Sequence, residues 1–99
     1  MKLDDTLLRS VPKVLLHDHL DGGLRPQTAI ELARDQDYTA LPTSDAGELA
    51  DWFHRGARRG SLSTYLEGFA HTCGVMQTVE ALERVAYEMM EDMHADGVV

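Results

Sequence analysis

The stretch Lys13-Val14-Leu15-Leu16-His17-Asp18-His19-Leu20 is an apolar run of strand length, and Asp21-Gly22-Gly23 closes it with a turn signal. It is predicted as a strand followed by a turn. No second full strand follows. Helical patterns fill the chain as far as Gly97, and then come Val98 and Val99. A lone buried strand would leave its backbone N–H and C=O groups without partners. The two valines therefore read as the opening of a second strand. A strand, a helical crossover and a parallel strand make the βαβ unit of α/β proteins. The expected class is α/β, with these 99 residues an incomplete part of one domain.

Residues 1–12 read as a short leader ending at Pro12. Four helices are predicted after the turn. The first runs from about Pro26 to Asp37, with the proline in a first turn where its missing N–H costs nothing. Ile30 and Ala33 share its apolar face. The second begins near Asp45, where Glu48 three residues on suggests a capping box. Leu49, Trp52 and Phe53 form its stripe. The segment Gly56-Ala57-Arg58-Arg59-Gly60-Ser61 reads as a loop. The third helix starts near Ser63, carries Leu62, Tyr65, Leu66 and Phe69 on one face, and weakens at Gly74. The fourth is bounded by Thr78 as N-cap and Gly97 as stop. Leu82, Val85, Ala86, Met89, Met90 and Met93 follow its 3.6-residue period. Glu80, Glu83, Glu88 and Glu91 read as its solvated face.

Composition narrows the partners. Nine Lys and Arg stand against 17 Asp and Glu, a net charge of −8. Such a chain repels phosphate backbones, so no nucleic-acid partner is expected. No apolar run approaches the roughly 20 residues of a membrane span. The acidic start Met1-Lys2-Leu3-Asp4-Asp5 is unlike a signal peptide, and a single cysteine, Cys73, cannot form an internal disulfide. A cytoplasmic location is expected.

The chemistry concentrates at His17-Asp18-His19. Alternate residues of a strand share a face, so the two histidines point the same way, with Cα atoms about 6.6 Å apart at about 3.3 Å of rise per residue. Zn–N bonds of about 2.0–2.1 Å let two such imidazoles share one ion. Asp21 has the same parity and continues that face if the strand runs on; Asp18 has the opposite parity. The pair lies at the C-terminal end of the run, the end that carries the active site in α/β folds. A catalytic zinc normally needs at least three protein ligands, so the others are expected beyond Val99.

The stretch from Pro12 through Asp21-Gly22-Gly23-Leu24-Arg25-Pro26 resembles the N-terminal signature of adenosine deaminases, P-K-x-x-L-H-x-H-L-D-G, a small residue, then L-R-P. Met76-Gln77-Thr78, Glu83-Arg84-Val85-Ala86-Tyr87-Glu88 and Ala95-Asp96-Gly97-Val98-Val99 are also similar to that family. The resemblance implies a (β/α)8 barrel of which the chain supplies the first strand, the helical insertion after it and the entry to strand two. It implies hydrolysis of adenosine, and of 2′-deoxyadenosine, to the inosine product and ammonia, in purine salvage. One zinc per site lowers the pKa of bound water. By the same resemblance His17 and His19 are zinc ligands, His19 also lies against the nucleoside, and Asp21 holds the ribose 5′-hydroxyl. Leu62, Tyr65, Leu66 and Phe69 match a helix over the pocket mouth. Tyr65 replaces a more usual phenylalanine, and Gly23 a more usual alanine or serine.

The family's third histidine ligand, its aspartate ligand, its proton-transferring glutamate and its second catalytic histidine have no counterpart here. No catalytic acid or base is therefore expected within the chain, and the 99 residues alone are expected to be inactive and a truncation of a longer enzyme. The other zinc deaminase class needs H-x-E and P-C-x-x-C, which one cysteine excludes. Two further readings compete: a sister amidohydrolase such as an adenine deaminase, and a non-catalytic fragment that binds partners or metal. His54, His71 and His94 read as surface or helix histidines. Cys73 reads as a small packing residue, Met89, Met90 and Met93 as core, and Arg55, Arg58 and Arg59 as a solvated basic loop.

Overall fold

Five helices and one 3-10 turn form the regular structure of the computed structural model, which describes residues 2–58 and 60–99. Helix α1, Asp5–Ser10, occupies what the sequence suggested was a leader. Asp4 caps it by accepting the Leu7 N–H at 2.8 Å. It stops at Val11, because the residue before a proline is driven out of the helical region.

The strand expected over Lys13–Leu20 is not formed. One parallel bridge joins Lys13 to Val98. The Lys13 N–H donates to the Gly97 carbonyl at 2.8 Å, and the Val99 N–H donates to the Lys13 carbonyl at 2.9 Å. Strand structure belongs to a pair of segments, and among the described residues this run has Val98 as its one bridge partner. Among the described residues Val14, Leu15 and Leu16 have no ladder partner, and Leu16 is 96% exposed. Leu20–Gly23 then winds into the 3-10 turn.

Helix α2 spans Pro26–Asp35 with proline in its first turn. Helix α3 spans Ala46–Ala57 and so runs through Gly56, where a loop was expected; Arg59 of that loop lies outside the described residues. Asp45 caps α3 through the Glu48 N–H at 2.9 Å. The return arm of the capping box passes through Thr43, which donates to Glu48 and accepts from the Asp45 N–H. Helix α4 spans Leu62–Gly74 and α5 Val79–Ala95, with Thr78 capping α5 through the Ala81 N–H at 3.1 Å.

The core is a seam between α2, α3 and α5, closed by Val75 at the end of α4: Ala29, Ile30, Leu32 and Ala33 meet Leu49, Val75, Ala81 and Val85. Met89 is buried too, whereas Leu82 and Met90 of the expected stripe are exposed and Met93 is half-buried. The buried line of α5 is Ala81, Val85 and Met89, at intervals of one helical turn, and the apolar pattern is wider than that line. Glu88, expected on the solvated face, turns instead toward α2. It accepts from the Thr28 hydroxyl at 2.5 Å and from Arg84 at 2.9 Å. Arg84 also reaches Glu31 at 2.6 Å. Arg25 makes a two-point pair with Asp92 at 2.8 and 3.0 Å.

These partners hold three carboxyls below their ordinary values. For Glu88, burial pushes upward, and hydrogen bonds from Thr28 and Arg84 with the charges of Arg84 and Arg25 outweigh it. Hydrogen bonds from Gln27 and Arg84 lower Glu31. The Arg25 hydrogen bond lowers Asp92.

Gly97 ends α5 at φ +84°, the left-handed region that glycine enters freely. The Val98 N–H turns back to the Met93 carbonyl at 3.0 Å. A Cβ at Gly97 would stand 2.6 Å from the Arg9 carbonyl oxygen and 2.8 Å from that of Val11. Gly97→Ala is therefore expected to destabilise the fold by about 1–3 kcal/mol, read as a lower urea midpoint. Acid should weaken the α2–α5 contact. Below the ordinary Glu value of 4.5 the unfolded chain takes up protons that Glu31 and Glu88 still refuse, and Asp92 follows below 3.8. Stability should fall as the pH drops through the lowered folded values. Arg84→Met should flatten that slope in thermal melts across the acid range.

Candidate active site

Past the Lys13 bridge the chain bends at Leu16 and His17 and is extended again at His19 (φ −121°, ψ 131°). The two imidazoles meet although no strand carries them. Their Nε2 atoms lie 3.0 Å apart, and the rings are nearly parallel, with centroids 5.0 Å apart and 13° between planes. Both residues are exposed. Asp18 turns onto the backbone and accepts the His19 N–H at 2.8 Å.

The spacing fits a shared ion. Two ligands at about 2.0–2.1 Å from a tetrahedral zinc stand about 3.3 Å from each other. The observed separation is near that, and an imidazole nitrogen without its proton is a zinc donor. Among the described residues no group of three or more His, Cys, Asp or Glu is placed to hold a metal. Two imidazoles alone fall short of the three protein ligands that a catalytic zinc normally has.

Asp21 departs from the expected histidine face, because the 3-10 turn intervenes. The Gly22 N–H donates to the His19 carbonyl at 3.0 Å, and the Leu24 N–H to the Asp21 carbonyl at 3.3 Å. The turn lies on α5 at Gly23, where a Cβ would come 2.9 Å from Met89 Cγ. Half-buried Asp21 is thereby directed to α4, where its Oδ2 accepts the Thr72 hydroxyl at 3.0 Å.

Between the turn, α3 and α4 lies a pocket of about 320 Å³. Asp21 and Leu24 line it from the turn side, Trp52 and Phe53 from α3, and Tyr65 and Phe69 from α4. Of the four residues expected to cover the mouth, Tyr65 and Phe69 line the pocket, whereas Leu62 and Leu66 do not and are exposed. His17 and His19 are not among its lining residues. The structure therefore joins Asp21 to the α4 aromatics and leaves the histidine pair outside that wall. Trp52 and Phe53 had read as core stripe. They are half-buried and 5.3 Å apart edge to face; Phe53 packs against the core as well, and both line the pocket.

Thr72 carried no signal in the sequence, since its partner is 51 residues away. His71, read as an ordinary helix histidine, is half-buried. It shares a hydrogen bond with the Tyr38 hydroxyl at 2.9 Å and meets Trp52 edge-on. Cys73, expected to pack, is exposed, as are His54 and His94.

The adenosine deaminase family model matches residues 12–99, a span that contains the histidine pair, Asp21 and every lining residue of the pocket. The chain belongs to the adenosine deaminase family. It is 60% identical over 92 residues to an adenosine deaminase of Mycobacterium ulcerans (strain Agy99), covering 93% of this chain and 25% of that protein. Against the adenosine deaminase of Mycobacteroides abscessus the identity is 58% over 98 residues, 99% of this chain and 27% of the relative. Against adenosine deaminase 1 of Streptomyces coelicolor it is 61% over 92 residues, 93% of this chain and 23% of the relative. The chain spans about a quarter of the length of the curated relatives it matches. No solved structure matches it.

Proposed function

We propose that the segment is the N-terminal part of a zinc-dependent hydrolase that converts adenosine and water, or 2′-deoxyadenosine and water, to the inosine product and ammonia. What carries the reading is the family match through residues 12–99, which contains His17-Asp18-His19-Leu20-Asp21-Gly22. The fold we propose for the whole is a (β/α)8 barrel. The parallel pairing of Lys13 with Val98 supports it, since neighbouring barrel strands run parallel.

His17 and His19 would hold the zinc together with ligands from outside the segment. When bound, zinc supplies the Lewis acidity that brings water to its reactive form near neutral pH. The chain's own part is substrate binding. The Asp21 carboxylate keeps acceptor capacity beyond its bond from Thr72 and would take the ribose 5′-hydroxyl. Trp52, Phe53, Tyr65 and Phe69 give the pocket an apolar wall that excludes water from a bound nucleoside. His19 would lie against the substrate. The groups that move protons during deamination belong to the rest of the protein.

The partner is a small nucleoside. The net charge of −8 opposes binding to nucleic acid. No helix among the described residues is long and apolar enough to cross a membrane, and we propose a cytoplasmic location.

In the full-length protein His17→Ala or His19→Ala is expected to lose most bound zinc and most activity, because each removes a metal ligand from a site with few to spare. Metal content by mass spectrometry decides this; a full zinc equivalent retained in both variants overturns the ligand assignment. Asp21→Ala is expected to keep its zinc and lose about tenfold to 150-fold in kcat/KM for adenosine. Ultraviolet assays with adenosine and 5′-deoxyadenosine should show that loss for the first nucleoside alone. A wild-type enzyme that prefers free adenine would point to adenine deaminase.

A further inference from the structure

We infer that Thr72 is a positioning residue for substrate recognition, acting through Asp21; this rests on the reading of Asp21 as the acceptor for the ribose 5′-hydroxyl. Asp21 sits in a four-residue turn. A carboxylate on so short a turn has free rotation about its side-chain bonds unless something holds it. Among the described residues the hydrogen bond that holds it comes from α4: the Thr72 hydroxyl donates to Oδ2 at 3.0 Å in a half-buried setting.

The same hydroxyl lies 3.4 Å from the Phe69 carbonyl, the usual fallback of a helical threonine. The carboxylate is nearer and charged, and charge-assisted bonds are the stronger kind. The hydroxyl proton is therefore directed at Asp21. An ionised carboxylate has room for about four donors, so one bond from Thr72 orients the group and leaves acceptor sites for a ligand. The β-branch makes Thr72 stiffer about its first side-chain bond than serine, which suits a residue whose task is to hold another in place.

Thr72 is on the helix that contributes Tyr65 and Phe69 to the pocket wall, and it lines that pocket beside Asp21. Polar acceptor and apolar wall are thus set by one element. A nucleoside with its hydroxyl on Asp21 would meet that wall with no reordering of the carboxylate on binding.

The test uses the full-length enzyme loaded with zinc and the variants Thr72→Val and Thr72→Ser. Valine keeps the branched shape and deletes the donor; serine keeps the donor. Thr72→Val is expected to raise KM for adenosine about 3- to 10-fold with kcat within about twofold of wild type. It should leave kcat/KM for 5′-deoxyadenosine unchanged, and Thr72→Ser should restore most of the adenosine KM. In an Asp21→Ala background Thr72→Val should have no further effect. Equal losses on both nucleosides, an unchanged KM for adenosine, or a full additive loss in the double variant each overturn the positioning role while leaving deamination intact. A wild-type enzyme that treats the two nucleosides alike, or does not hydrolyse adenosine, overturns the underlying reading of Asp21 and this role with it.

Discussion

Gly23 packs so closely on Met89 that a Cβ there would require the Met89 side chain to shift, and this contact seats the Leu20–Gly23 turn on α5. The groups on either side of the turn take their places from it. Upstream, His19 enters the turn with its carbonyl bonded to Gly22. Downstream, Arg25 leaves it and pairs at two points with Asp92. On the turn itself Asp21 reaches across to Thr72. The turn is thus gripped by α5 through packing and charge, and by α4 through one hydrogen bond. Shifting α5 along its axis would move Gly23, and with it the carboxylate and the histidine that precedes it.

The polar partners of α2 and α5 add specificity to the apolar seam. Ion pairs at half-exposed positions contribute little each, about 0–1 kcal/mol. Their value here is in register. Arg25 meets Asp92, Thr28 meets Glu88 and Glu31 meets Arg84, so the pairs run in opposite directions along the two helices. A slip of α5 by one turn would bring Glu88 opposite Glu31 and Asp92 opposite Thr28. Repulsion between the Glu31 and Glu88 carboxylates opposes that slip.

Helix ends were legible wherever a residue has a local reason to end a helix. Asp45 and Thr78 accept N–H groups three residues on, Pro26 opens α2, and Gly97 takes a positive φ. The histidine pair was legible as well, since a spacing of two in extended chain brings side chains together with or without a ladder. What remained hidden was set by distant partners. The run after Lys13 has strand composition, but strand structure depends on a neighbouring segment, and among the described residues only Val98 pairs with it. Asp21 had the parity of the histidines, and the turn that removes it from their face depends on Met89. Glu88 has the composition of a solvated position, and Thr28 and Arg84 draw it inward. Trp52 and Phe53 have the spacing of a core stripe, and only the placement of α4 turns that stripe into the wall of a pocket.

The bridge at Lys13 bears on the order of folding. Lys13 and Asp96, whose hydrogen bond lies beside it, are 83 residues apart. Closing a loop of that length costs about 4 kcal/mol of chain entropy before any contact made by the closure returns it. Each helix closes bonds between near neighbours, whereas this bridge, like the contacts of α2 with α5, joins residues far apart in sequence. During synthesis from the ribosome it must wait until α5 has emerged. In that interval Val14-Leu15-Leu16 is an apolar strand-forming edge with nothing beside it, open to pairing with another nascent chain.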